Sequence, residues 1–186
     1  MALTPEEKAA RARDRMTERA RCLSPIRYAQ KTVSPIFQQM IRAEAAAKKN
    51  ALSEAVRDGT SILVFRRVGQ CVCVTCGKLL PWKDNGASCG RLDTGHFLAG
   101  RTASILFEET NAHPQCVHCN QHLSGNQANY EIWMRAVYGQ EEIDRLRRLK
   151  NTTRKFTHEE VVDLKIQYAA RLKAAEETIR LLTPAG

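Results

Sequence analysis

The chain has 186 residues, 43% of them hydrophobic and only 6% aromatic, and its 29 Lys and Arg outnumber 20 Asp and Glu for a formal charge of +9. That length sets one domain with room for a helical appendage, and the apolar share is that of a chain that folds. So few aromatics, with ten Gly and six Pro, weigh against an all-β sandwich or barrel, no run approaches the ~18 apolar residues of a membrane span, and the positive excess suits a polyanionic partner.

The basic excess is densest at the amino end, where residues 1–58 hold 12 Lys/Arg and 7 Asp/Glu. The stretch from about Pro5 to Arg21 is charged and helix-prone, without the apolar centre and cleavage site of a signal peptide, so the expected location is cytoplasmic. A second helix is expected to open with Ser34 as N-cap and Pro35 in its first turn, and to close at Gly59. Ile36, Phe37, Met40, Ile41, Ala45, Leu52 and Val56 recur along it at roughly helical spacing. Residues 1–60 thus read as a helical, basic amino-terminal region that packs one stripe on a core or lies along nucleic acid.

Past Gly59 the residues become β-branched. Ile62–Arg67, Arg91–Leu98 and Ala103–Glu108 are expected strands, with turns at Asp84-Asn85-Gly86 and Ala99-Gly100. Helix returns at Tyr130–Tyr138, stops at Gly139 and resumes over Glu141–Lys150. Thr157, with Glu160 three residues on, forms a capping box that opens a last helix to about Leu182. Val161, Leu164, Tyr168, Leu172, Ala175, Ile179 and Leu182 keep a helical period there, for packing or dimerisation. The expected fold class is α+β, with residues 61–138 as the core and 139–186 as a carboxyl-terminal helical region.

Seven cysteines are many for such a chain, and an odd number cannot all pair. Cys73-Val74-Thr75-Cys76 and Cys116-Val117-His118-Cys119 are two Cys-x-x-Cys pairs, the spacing of a four-sulfur zinc site. Cys71 lies close enough to replace Cys73 as a ligand, while Cys22 and Cys89 are left over. The 39 residues between the pairs exceed a usual zinc-ribbon loop and must carry something else.

Within that loop stands Asp93-Thr94-Gly95-His96-Phe97 on an expected strand. Asn111 precedes Cys116, and Asn120 follows Cys119 where a helix begins. Strand with His, loop, strand with Asn, helix with Asn or His is the order of the ββα-metal, or HNH, nuclease motif. Phosphodiester hydrolysis needs a base to take a proton from water and a hard cation to neutralise the phosphate and the leaving 3′ oxygen. His96 suits the first task; the oxygens of Asp93 and Asn120 suit magnesium or manganese.

The run from Asp93 to Phe97, then Phe107-Glu108-Glu109-Thr110-Asn111-Ala112-His113-Pro114-Gln115-Cys116-Val117-His118-Cys119-Asn120-Gln121-His122, then Ser124-Gly125-Asn126, resembles the NinG, or Rap, recombination endonucleases of lambda-like phages. The resemblance covers about residues 71–175, and the sequence is also similar to the phage endonuclease VII resolvases. It implies a zinc-stapled ββα-metal nuclease that cuts branched DNA, D-loops and Holliday junctions, works as a homodimer and acts in the bacterial host cytoplasm. It further implies His96 as general base, Asn120 as ligand of the catalytic magnesium or manganese, Asn111 as the residue holding the loop, and Cys73, Cys76, Cys116 and Cys119 on zinc.

The common HNH pattern places a metal-binding Asp directly before the basic His, where this chain has Gly95. Asp93 stands three residues back, and on a regular strand it faces away from His96 unless Thr94-Gly95 forms a bulge. His118 and His122, four apart, share a helix face about 200° from Asn120, so they are expected to face DNA or solvent. His113 is expected to be structural and His158 an exposed surface residue. Arg101, five residues after His96, is placed to hold a phosphate. A zinc-organised DNA-binding protein without catalysis, an RNA-acting nuclease and an adaptor built on the end helices are the rival readings.

Overall fold

The computed structural model describes residues 4–83, 91–99 and 102–183, and shows a mixed α+β protein. Helix α1 (Pro5–Ala20) is opened by Thr4, whose hydroxyl accepts from the Glu7 amide while the Glu7 carboxylate accepts from the Thr4 amide. A short helix α2 (Pro25–Tyr28) runs through a π-helical turn, Ala29–Val33, into α3 (Ser34–Ala47). Ser34 is therefore not an N-cap, because the helical path is already under way when it is reached.

The second helix also ends twelve residues earlier than the apolar period suggests. Residues 51–57 instead form strand β1 (Ala51–Arg57), paired residue for residue with antiparallel β2 (Thr60–Arg66). Asp58 and Gly59 have φ of +50° and +78°, the backbone of a two-residue hairpin turn, for which Asp-Gly is a favoured pair. A Gly read as a helix stop is thus a hairpin turn, and a boundary at residue 60 would cut that hairpin in two.

Two further antiparallel pairs follow, β3 (Gln70–Val72) with β4 (Leu79–Pro81), and β5 (Leu92–His96) with β6 (Ala112–Cys116). The expected strand at Ala103–Glu108 is a series of turns. Its amides at Ile105 and Leu106 both donate to the Thr102 carbonyl, and its apolar side chains pack inward, with Ile105 and Leu106 buried. The partner of β5 is instead Ala-His-Pro-Gln-Cys, a sequence with little strand propensity that tertiary contact makes extended. The turn Asp84-Asn85-Gly86 lies outside the described residues.

Helix α4 (Gln127–Lys150) breaks at Gly139, whose φ of +81° and ψ of 171° no helix contains. Helix α5 (His158–Leu182) opens on Thr157 with the expected capping box to Glu160. It packs along α3, burying Val161, Val162, Tyr168 and Ala175, so its stripe is used within the chain. Phe37, Phe107 and Tyr168 meet there at ring separations of 5.1–5.8 Å, the contact range of aromatic pairs. Together α3, α5 and the turns after Thr102 form a frame against which the β5–β6 hairpin is held: the Arg42 guanidinium donates to the Leu92 carbonyl, and the Thr94 hydroxyl donates to that of Gln38.

Candidate functional site

Strand β3 delivers Cys73 and a tight turn returns Cys76, whose neighbour Gly77 has a φ of +74° and donates its amide to the Cys73 carbonyl. Strand β6 delivers Cys116, and the following turn delivers Cys119. All four sulfurs lie within 4.8 Å of one another, and Cys76 Sγ and Cys116 Sγ stand 3.8 Å apart. A tetrahedron with metal–sulfur bonds of ~2.3 Å has edges of about 3.8 Å, so this centre can hold a metal such as zinc. The Cys119 amide donates to Cys116 Sγ and the Asn126 amide group to Cys119 Sγ, orienting the sulfurs as outer partners of a metal site do. Hydrogen bonds among the four thiols lower Cys73 and Cys119 and raise Cys76 and Cys116, so the four groups titrate as one cluster. Cys71 stays outside the centre. Its thiol donates to the Arg42 carbonyl, and burial pushes it up to about 12. Cys22 is exposed, and Cys89 lies outside the described residues.

Beside this centre a cavity of about 540 Å³ opens between the β5–β6 hairpin and the α2–α3 helical path. Thr94 and His96 project into it from one face of β5, Asn120 and Ser124 come from the turn after the cysteines, and Ser34 and Gln38 close it from α3. Nε2 of His96 is buried without a hydrogen-bond partner among the described residues. Burial pushes this imidazole below the usual histidine range, against an opposing hydrogen bond to the Leu106 backbone. It is a neutral base at neutral pH, held on one nitrogen and free on the other. Asn111, fully buried, clasps the segment after His96: its side-chain oxygen accepts from the Leu98 amide, and its amide group donates to the Leu98 carbonyl.

Residues 39–178 match the family described as Bacteriophage Lambda NinG protein. The chain belongs to that family. Among NinG relatives it is 31% identical to Protein ninG of Escherichia phage lambda and of Escherichia phage 933W, and 28% identical to that of Salmonella phage P22, each over 134 residues. Those alignments cover 72% of this chain but 61–62% of each relative, so the chain spans about three fifths of their length. No solved structure matches it. The NinG match includes the four cysteines, His96, Asn111 and Asn120, whereas the Ser34 and Gln38 wall of the cavity precedes it.

Asp93 is placed differently from the expected metal pair with His96. The register from Leu92↔Cys116 to His96↔Ala112 is unbroken, so no bulge brings the two to one face. The Asp93 carboxylate instead accepts from the Asn120 amide at 3.1 Å and the Gln121 amide at 2.7 Å, and pairs with Arg91 at 3.4 Å. It fixes Asn120 and leaves the Asn120 carbonyl oxygen for a ligand. His118 and His122 are exposed, their rings 5.9 Å apart on a π-helical turn, while Asn120 is half-buried. Arg101 lies outside the described residues. His158, expected at the surface, is half-buried and bonded to the Leu23 carbonyl. Among the described residues no helix is long and apolar enough to cross a membrane.

Two residues support this site in roles not read from the sequence. Gly95 is needed for space: a Cβ there would lie 1.9 Å from Oε1 of Gln115, which is buried and bonded to the Thr75 hydroxyl and the Gly125 carbonyl. Gly95→Ala should lower stability by about 2–5 kcal/mol through overpacking and broken buried hydrogen bonds. A denaturant midpoint unchanged from wild type would show that the hairpin yields instead. Tyr130 is the other. Its hydroxyl donates to the Gly95 carbonyl, so it must accept from Nδ1 of His113, whose Nε2 then accepts from the Tyr138 hydroxyl.

This buried relay makes His113 structural, and desolvation pushes it down to about 3. The neutral form is favoured in the folded state, so its stabilisation is complete above the unfolded pKa of ~6.5 and is lost as pH falls from there toward 3. The full loss is roughly 5 kcal/mol. His113→Gln should flatten the dependence of unfolding free energy on pH between 6.5 and 4 by about one proton; an unchanged slope would mean that His113 is not the titrating group.

Proposed function

We propose that this chain is a metal-dependent DNA endonuclease of the ββα-metal, HNH-like kind that hydrolyses phosphodiesters in branched recombination intermediates, D-loops and Holliday junctions. The observation that carries the reading is the unpartnered Nε2 of His96 in the wall of a polar cavity, with Asn120 on another wall. The order of parts supports it: a strand with His96, a loop clasped by Asn111, a return strand, and a turn with Asn120, stapled at its base by four cysteines. The charge of +9 suits a nucleic-acid partner.

In this reading Nε2 of His96 takes a proton from water, the resulting hydroxide attacks phosphorus, and the bond to the 3′ oxygen breaks; that oxygen takes a proton from a solvent water, leaving a 5′ phosphate and a 3′ hydroxyl. A magnesium or manganese ion, when bound through the Asn120 carbonyl oxygen, supplies the charge that the phosphate and leaving group require. Asp93 holds that amide in orientation, and Asn111 holds the backbone following His96. Zinc at the cysteines has no part in the reaction and fixes the geometry.

The test is cleavage of a labelled four-way junction, a D-loop and a linear duplex of matched sequence, with magnesium, manganese or neither. Junction cutting that requires metal and yields 5′-phosphate ends supports the proposal. Binding without cutting of any substrate would replace it with a zinc-organised DNA-binding protein, and preference for an RNA junction would change the substrate. The homodimer that belongs to this proposal should sediment at twice the 20.9 kDa chain mass.

A further inference from the structure

A second cavity of about 500 Å³ is lined by Thr102, Thr152, Thr153, Arg154, Lys155 and Phe156 among others. Its basic side comes from the linker between α4 and α5, where Arg154 and Lys155 are exposed. Among the described residues neither forms an ion pair, although most of the arginines on α4 and α5 do. The Arg154 guanidinium is not loose: it lies over the ring of buried Phe156 at 4.7 Å from the centroid, a cation–π contact.

The two cavities draw lining residues from the same two segments. Ile26 of the α2–α3 helical path lines the second and Gln30, one turn on, lines the first; Ala103 and Leu106 line them from opposite ends of one turn.

We propose that Arg154 and Lys155 at this cavity bind the DNA phosphate backbone away from the position cut at His96, and so help to position the strand. The inference rests on the nuclease reading for its substrate, while its evidence is separate: two unpaired cations, one of them held by an aromatic ring, beside a row of threonine hydroxyls. Contacts of this kind position a strand without reading its sequence. They predict that Arg154 and Lys155 contribute equally on unrelated DNA sequences.

Binding of a fluorescent four-way junction should be measured across a salt series for wild type, for Arg154→Ala with Lys155→Ala, and for a charge-matched control, Lys49→Ala with Lys173→Ala, whose residues are exposed elsewhere. Loss of two phosphate contacts should make the slope of log affinity against log salt shallower by about 2 in the first variant, with little change in the control. Equal slopes in wild type and the Arg154/Lys155 variant would overturn the proposal and leave the nuclease reading standing, as would an equal change in the control. Wild type without salt-dependent affinity for DNA would overturn both.

Discussion

Removing metal from the four-cysteine centre should unfold the middle of the chain. Cys73, Cys116 and Cys119 are buried, in a cluster with Leu80, Trp82 and Leu92 that joins the β3–β4 and β5–β6 hairpins. With a cation, the charge of the thiolates is neutralised at bonding distance. Without it, four sulfurs within 4.8 Å of one another either repel as thiolates or protonate and lose the bonds that join the hairpins. Structural zinc in small domains contributes ~10–16 kcal/mol of apparent binding free energy, more than the 5–15 kcal/mol by which a domain of this kind is stable. The expected result is one metal ion per chain in the purified protein and loss of the cooperative thermal transition on addition of a strong chelator. Cys119→Ser should give the same loss. Cys71→Ala should keep the full metal content, because that thiol is protonated and bonded to the Arg42 carbonyl. A chelated protein that melts like the untreated one would show the centre to be dispensable.

On the proposed nuclease reading, His96→Ala should lower the rate of junction cleavage by about 10²- to 10⁴-fold, the usual contribution of a positioned general base, while leaving affinity for the junction within a few-fold. Its backbone is held by the β5–β6 ladder and the residues after it by Asn111, so the substitution removes an imidazole and its hydrogen bond to the Leu106 backbone while the hairpin stays paired. The pH profile gives a second, independent reading. Burial favours the neutral ring, so the active form persists below the ordinary histidine pKa of ~6.5 and is lost only as pH falls through the lowered value. The acid limb of the wild-type rate should therefore bend below ~6.5 and be absent from the residual rate of His96→Ala. A variant that cuts at the wild-type rate would remove His96 from the chemistry. Unlike the chelator experiment, this one should leave the melting transition in place, so lost activity and lost folding are told apart.

The sequence by itself determined the features whose causes are local. The two Cys-x-x-Cys pairs are short-range geometry, and so are the capping box at Thr157, the Pro5 helix and the break at Gly139; each forms as its residues dictate. Asp58-Gly59 belongs with them, since its hairpin signal was present in the sequence beneath a competing helical period. Tertiary structure alone decided the rest, because those outcomes depend on groups far apart in the chain. Cys73 rather than Cys71 joins the centre because it stands just past the end of β3, where the turn that returns Cys76 begins, while Cys71 within the strand is taken by the Arg42 carbonyl 29 residues away. Ala112–Cys116 becomes a strand because β5 supplies its hydrogen bonds, and Ala103–Glu108 does not because its apolar side chains are drawn into the aromatic core against Phe37 and Tyr168. Asp93 turns to Asn120 because an unbroken ladder denies it the face of His96. The same holds for the cavity, whose polar walls meet only when α3 is laid across the β5–β6 hairpin: alternation and helical period say which way a side chain points, and packing between distant elements decides what it meets.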